Sequence, residues 1–174
     1  MSVSGHPTLT AVDRMGIAPG ELILEVCFDS DCDAELQEAI EARSGQPLVR
    51  ESAEEVVDAV LLWWRDGDGD LVDDLVYALT YLSESGPIWL MTPKAGLEGH
   101  VEPSDIQDAA PTAGLTQTVT FLAAPHWSAT KLVARRAGKK ENKYPYGYDT
   151  INWPSRSRFH TQKSIWRERF TLIL

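Results

Sequence analysis

Gly86-Pro87-Ile88-Trp89-Leu90-Met91-Thr92-Pro93-Lys94 is the stretch whose reading decides the fold. Ile88 to Met91 is an unbroken apolar run, opened by Gly-Pro and closed by a second proline. A strand wetted on one face alternates polar and apolar side chains. A short run without alternation marks a strand covered on both faces, as in a parallel sheet between helices. Val56 to Trp64 is nearly continuous in the same way and rich in β-branched and aromatic residues. The reading is one turn at Ser52–Glu55, where Ser52 and Glu55 have capping-box spacing, and then a buried strand over Asp58–Trp64. The two strands are expected side by side and pointing the same way.

Working outward, Glu21 to Phe28 is a first strand, and Pro47 to Glu51 is short enough to be an outer one. Asp33 caps a helix over Ala34–Arg43, and Asp70 caps another over Leu71–Leu82, whose inner stripe is Leu71, Leu75, Ala78, Leu79 and Leu82. Pro103 suits the first position of a helix through Ala110. Leu9 to Met15 supports a single helical turn. Thr116–Ala123 and Thr130–Ala134 read as a hairpin joined by a loop, Pro125-His126-Trp127-Ser128. Strand–helix–strand order closed by that hairpin predicts an α/β, mostly parallel, Rossmann-like three-layer sheet with an antiparallel C-terminal hairpin. The predicted domain spans 1–138.

Charge divides the chain. The net −10 is −17 over residues 1–134 and +7 over residues 135–174. An acidic body repels nucleic acid and anionic lipid, so neither is an expected partner of the body. The basic part, 139–174, holds seven of the 15 aromatics without helical or strand periodicity, and is expected to be a disordered tail. Nucleic-acid binding, if present, belongs to that tail. No apolar run approaches the roughly 20 residues that span a bilayer. Cys27 and Cys32 lack the CxxC spacing and read as reduced thiols of a cytoplasmic protein.

The segments VVDAVLLWWRDGDGDLVDDLV, IWLMTPKAGLEGHVEPSDIQDAAPTAGL and HWSATKLVAR resemble an uncharacterised actinobacterial family of domains of unknown function over most of residues 12–136. More distantly, the chain resembles trimmed Rossmann-like methyltransferase folds. The resemblance implies the same sheet and closing hairpin and names no reaction. It stops near Lys139; for residues 141–174 a genuine extension and an altered reading frame both stay open.

Cofactor-using sheets of this type place glycines straight after the first strand, so that the backbone can approach the ligand. Here the turn is Asp29-Ser30-Asp31-Cys32-Asp33, three acids and no glycine. Glu51 stands where a ribose-binding acid would, alone. No cofactor is therefore expected. Asp66-Gly67-Asp68-Gly69-Asp70 fails the EF-hand pattern, because Leu71 and Tyr77 stand where that loop needs glycine and glutamate. It reads as a solvated turn ending in a helix cap, and no metal is expected. His100, Glu102 and Asp105 have no metal-ligand spacing, and read as a polar loop leading into a capped helix. Lys94 lies past a buried strand and is expected to pair with nearby acids. Trp63, Trp64 and Trp89 read as core. Ser128, near His126 without an orienting acid, is no credible nucleophile.

The ligand rim is thus predicted from Lys94, Asp66, Asp70, His100, Glu102, Trp127 and Ser128. The first functional reading is a non-enzymatic regulatory or protein-interaction module that meets a protein partner or a small ligand. Its rival is a transferase or nucleotide- or small-ligand-binding enzyme with an altered pocket around Lys94.

Overall fold

The structure, a computed structural model, describes residues 7–50 and 55–135. The elements run α1 (Pro7–Met15), β1 (Ile23–Val26), α2 (Ala34–Ser44), β2 (Ala59–Trp63), α3 (Leu71–Leu79), β3 (Pro87–Pro93), α4 (Pro103–Thr112), β4 (Leu115–Ala124) and β5 (Trp127–Ala134). The strands form one sheet in the order β1-β2-β3-β5-β4.

β2 and β3 are neighbours in parallel register, Val60 beside Ile88 and Trp63 beside Met91. β1 joins β2 in the same sense. The hairpin closes the sheet: β5 is antiparallel to β3, and β4 is antiparallel to β5. Only β5 runs against the common direction, so the sheet is mostly parallel, as its unbroken apolar runs require. All five residues of β2 are buried.

Because side chains alternate across a strand, the central strands feed two cores. Leu61, Trp63, Trp89 and Met91 meet Val12 and Met15 of α1 and Leu36 and Ile40 of α2. Val60, Leu62, Ile88 and Leu90 meet Leu71 and Leu75 of α3 and Ile106 and Ala110 of α4. Each large apolar side chain so buried contributes about 1.5–3 kcal/mol before the entropy cost of ordering it. The result is three layers with a helix pair on each face.

Several sequence expectations are corrected. Pro47–Glu51 forms no strand among the described residues; a single bridge, Val49 to Leu24, stands in its place. Leu48 turns into the core instead of extending a ladder. α1 is a full nine-residue helix, because Ala11, Val12 and Met15 find an apolar sheet face that the local sequence does not reveal. α3 stops at Leu79, where the Thr80 hydroxyl bonds the Tyr77 carbonyl and competes with the helix. β5 begins at Trp127, so Trp127 and Ser128 are strand residues and the connection shrinks to Pro125-His126. The expected tail at 139–174, Glu51 and the Ser52 cap lie outside the described residues.

Candidate functional site

In a sheet of this kind ligands sit beyond the carboxyl ends of the strands, where the chain reverses its direction of travel across the sheet. From β1 the chain moves outward to the Val49 bridge and then returns to the other side of β1 as β2. The crevice between the carboxyl ends of β1 and β2 is therefore the switch point. Three loops meet at this edge: Cys27–Asp33 after β1, Trp64–Asp70 after β2, and Lys94–Glu102 after β3. The Pro125-His126 turn joins them, since Lys94 N–H donates to the His126 carbonyl at 3.0 Å.

The crevice is occupied by the protein itself. Arg65, two residues past β2, reaches across to the turn after β1. Its Nε donates to Asp31 Oδ2 at 2.9 Å, and Nη2 completes a fork on Asp31 Oδ1. Nη1 donates to the Cys27 carbonyl at 3.1 Å and lies 3.5 Å from Asp68. Nη2 also lies 3.5 Å from Cys32 Sγ. The guanidinium carbon sits 5.1 Å from the centre of the Trp127 ring, within cation–π range. Only 16% of the Arg65 side chain is exposed. Burial works against its charge, but its hydrogen bonds to Asp31 and the surrounding negative charge outweigh it and raise the pKa.

The neighbouring residues hold this arrangement. Trp127 Nε1 donates to the Asp31 carbonyl at 3.1 Å, and its ring meets Trp63 edge-on at 4.8 Å. Cys27 adopts φ 58°, a left-handed conformation that costs a non-glycine residue roughly 1–2 kcal/mol. Gly99 lets the third loop close on the arginine stem. A Cβ there would lie 3.0 Å from Arg65 Cβ, and the Gly99 carbonyl accepts from Asp66 N–H at 2.9 Å. Both thiols are shifted toward the protonated form. Cys27 is pushed up to about 12, chiefly by burial and then by Asp74 and Asp68. Burial pushes Cys32 up to about 11, despite the Asp29 N–H and Arg65 beside it.

The structure places the expected rim residues at this one edge, with varied duties. Asp70 caps α3 by accepting from Val72 N–H at 2.8 Å, and Asp68 accepts from Arg65 N–H at 3.0 Å, so the acidic turn is consumed locally. His100 Nδ1 bonds the Pro93 carbonyl at 3.0 Å, and Nε2 lies 3.9 Å from Glu102. Trp127 is a buried wall of the crevice, and Ser128 lies in β5 opposite Thr92. Lys94 does not pair: among the described residues it is half-buried and no acid lies within ion-pair distance of it. Its nearest neighbours along the chain, Pro93, Ala95, Gly96 and Leu97, carry no charge. Among the described residues no three His, Cys, Asp or Glu side chains are grouped to hold a metal ion.

Sequence reasoning missed Arg65 and Glu25. Glu25, 1% exposed on β1, accepts from Trp63 Nε1 at 2.8 Å, from Arg50 Nε at 2.8 Å and from Gln37 Nε2. The signal was present: Glu25, the glutamate in the middle of ELILEVCF, is a buried charge needing donors. Arg65 was legible only as one of few cations in an acidic body.

The sheet order, the switch point and the hairpin define a methyltransferase-like α/β domain. The fold is similar to that of the pyocyanin biosynthetic protein PhzM, with a TM-score of 0.52 and 14% identity over 73% of this chain and 54% of that one. It is equally similar to an O-methyltransferase family protein from Burkholderia thailandensis, TM-score 0.52 and 9% identity over 74% of this chain and 55% of that one. The chain thus spans about half the length of these structures.

Its own family is more specific: the chain belongs to the protein family of unknown function DUF3052, whose model matches residues 12–136. Uncharacterised proteins of Mycobacterium tuberculosis H37Rv and Mycobacterium bovis are each 47% identical over 145 residues, covering 78% of this chain and 91% of theirs. No helix among the described residues is long and apolar enough to cross a membrane.

Proposed function

We propose that this domain is a non-enzymatic regulatory or protein-interaction module of the cytoplasm, built on a methyltransferase-like sheet. One observation carries the reading: the switch-point crevice, where a cofactor-using sheet keeps a glycine turn open, is filled by the Arg65 guanidinium and its acidic partners. A nucleotide or S-adenosylmethionine would have to displace a forked, charge-assisted pair worth more than a neutral hydrogen bond. A phosphate would also face Asp29, Asp31 and Asp33. The thiols, held protonated, offer no nucleophile in compensation.

The test is a thermal-shift screen of the full chain against nucleotides, S-adenosylmethionine and divalent metals, paired with isolation of complexes from the native cell. A flat screen with a stoichiometric protein partner is the expected outcome. Saturable stabilisation by S-adenosylmethionine or a nucleotide overturns the reading.

A second reading rests on Lys94. A half-buried cation with no acid in ion-pair distance among the described residues, at the ligand edge of an acidic body, suits a small anion such as a carboxylate or phosphate. On this reading one small anion stabilises the protein and Lys94→Ala abolishes the effect. An unchanged response in that variant removes it.

A further inference from the structure

We propose that the crevice between β1 and β2 is a recognition site for a guanidinium group, with Arg65 as its resident occupant. Three kinds of acceptor converge on one planar cation: the forked carboxylate of Asp31, the carbonyl of Cys27 and the face of Trp127. Asp68 adds a second carboxylate. These groups come from three separate segments of chain, so the cradle is a property of the folded edge and not of one loop. A lysine cannot reproduce the contacts, because an ammonium is a point charge without a fork or a stacking plane.

The cradle is also held independently of its occupant. Trp127 is fixed by its bond to the Asp31 carbonyl and by Trp63. The turn after β1 is fixed by Asp29 N–H on Cys32 Sγ, Ser30 N–H on the Asp29 carboxylate, and Asp33 capping α2. Taking the arginine away therefore leaves a shaped acceptor set rather than a collapsed loop. The ligand class that competes for it is an arginine side chain presented by a partner, a step that rests on the interaction-module reading. Arg65 then acts as an internal stopper: the site opens only to a group that satisfies the same acceptors.

Chemical rescue tests the cradle without needing the partner. Arg65→Ala in the full chain deletes the occupant, and methylguanidinium at about 10 mM is the probe, an excess over a weak site of millimolar affinity. The expected result is saturable recovery of about half or more of the lost melting temperature. Wild type should show no comparable gain, and Arg65→Ala/Asp31→Ala should lose the recovery. Arg65→Met keeps the stem against Gly99 and serves, with guanidinium ion at the same low concentration, if the alanine variant does not fold. Absence of recovery, or equal recovery without Asp31, overturns the proposal, as does failure of both single variants to fold. This outcome is separable from the interaction-module reading, which stands or falls on the wild-type ligand screen.

Discussion

Gly86→Ala should destabilise the domain by about 2–4 kcal/mol, although no left-handed backbone is involved at this glycine. A Cβ built there would lie 2.3 Å from the Asp58 carbonyl oxygen, 2.7 Å from Leu82 Cδ1 and 2.9 Å from Ser83 Oγ. The two side-chain atoms can yield, but the carbonyl belongs to the backbone entering β2. Relief needs a shift between the starts of β2 and β3, where Asp58 also exchanges two bonds with Leu22: Asp58 N–H to the Leu22 carbonyl, and Leu22 N–H to Asp58 Oδ2, both at 2.8 Å.

Overpacking of this kind costs about 1–3 kcal/mol, and each weakened hydrogen bond about 1 more. Reduced freedom of the unfolded chain returns about 0.4–1 kcal/mol. Urea unfolding followed by circular dichroism measures the net difference. A loss below about 1 kcal/mol, well short of the roughly 2 kcal/mol that the smallest overpacking cost and the two weakened bonds leave after the largest return, would refute the close approach of β2 and β3 at this point. Gly67→Ala is the contrasting control. It has φ +97° and open space around its Cβ position, so its cost is backbone strain alone, about 1 kcal/mol.

Glu25→Ala should cost about 2–4 kcal/mol by urea titration, since it strands the buried Trp63 N–H and leaves a cavity. Adding Trp63→Phe should recover about 1 kcal/mol of coupling in a double-mutant cycle, and strict additivity would contradict the bond. Both thiols have folded pKa values raised above the ordinary 9.0, so the folded state keeps protons that the unfolded chain releases. Their contribution is complete below about pH 8 and declines as pH rises from about 9 toward 11, by up to about 1.4 kcal/mol per pH unit per thiol. Unfolding titrations at about pH 8, 9 and 10 should show that decline, and Cys27→Ser/Cys32→Ser should flatten it. An identical slope in the double variant would show that other groups carry the alkaline dependence.

Most of the sheet was legible because burial writes itself into local sequence. Asp58–Trp64 and Ile88–Met91 had no alternation to lose, and the caps of α2 and α3, Asp33 and Asp70, are side chains acting within three residues. What escaped was decided at long range. Pro47–Glu51 has strand composition, yet among the described residues it makes only one bridge to β1, and α1 is a helix because a sheet face awaits it. The rim residues were expected together because loops after parallel strands must gather at one edge, and the structure gathers them at that edge. Its central residue was not legible: Arg65 follows the tryptophans as an ordinary exposed cation would, and its partner Asp31 lies 34 positions earlier in the chain. Lys94 was expected to be neutralised by composition, whereas among the described residues no acid comes within ion-pair distance of it.

The lone bridge at Val49 shapes what this edge can hold. In a doubly wound sheet, strands beyond the reversal supply the far bank of the crevice, and a ligand of drug size normally hides 70–90% or more of its surface between both banks. Among the described residues the far bank here is one bridged valine and Arg50, tied to Glu25. A nucleoside laid along this edge would keep much of one side in water. A compact planar cation needs no second bank, because its acceptors all stand on the near one.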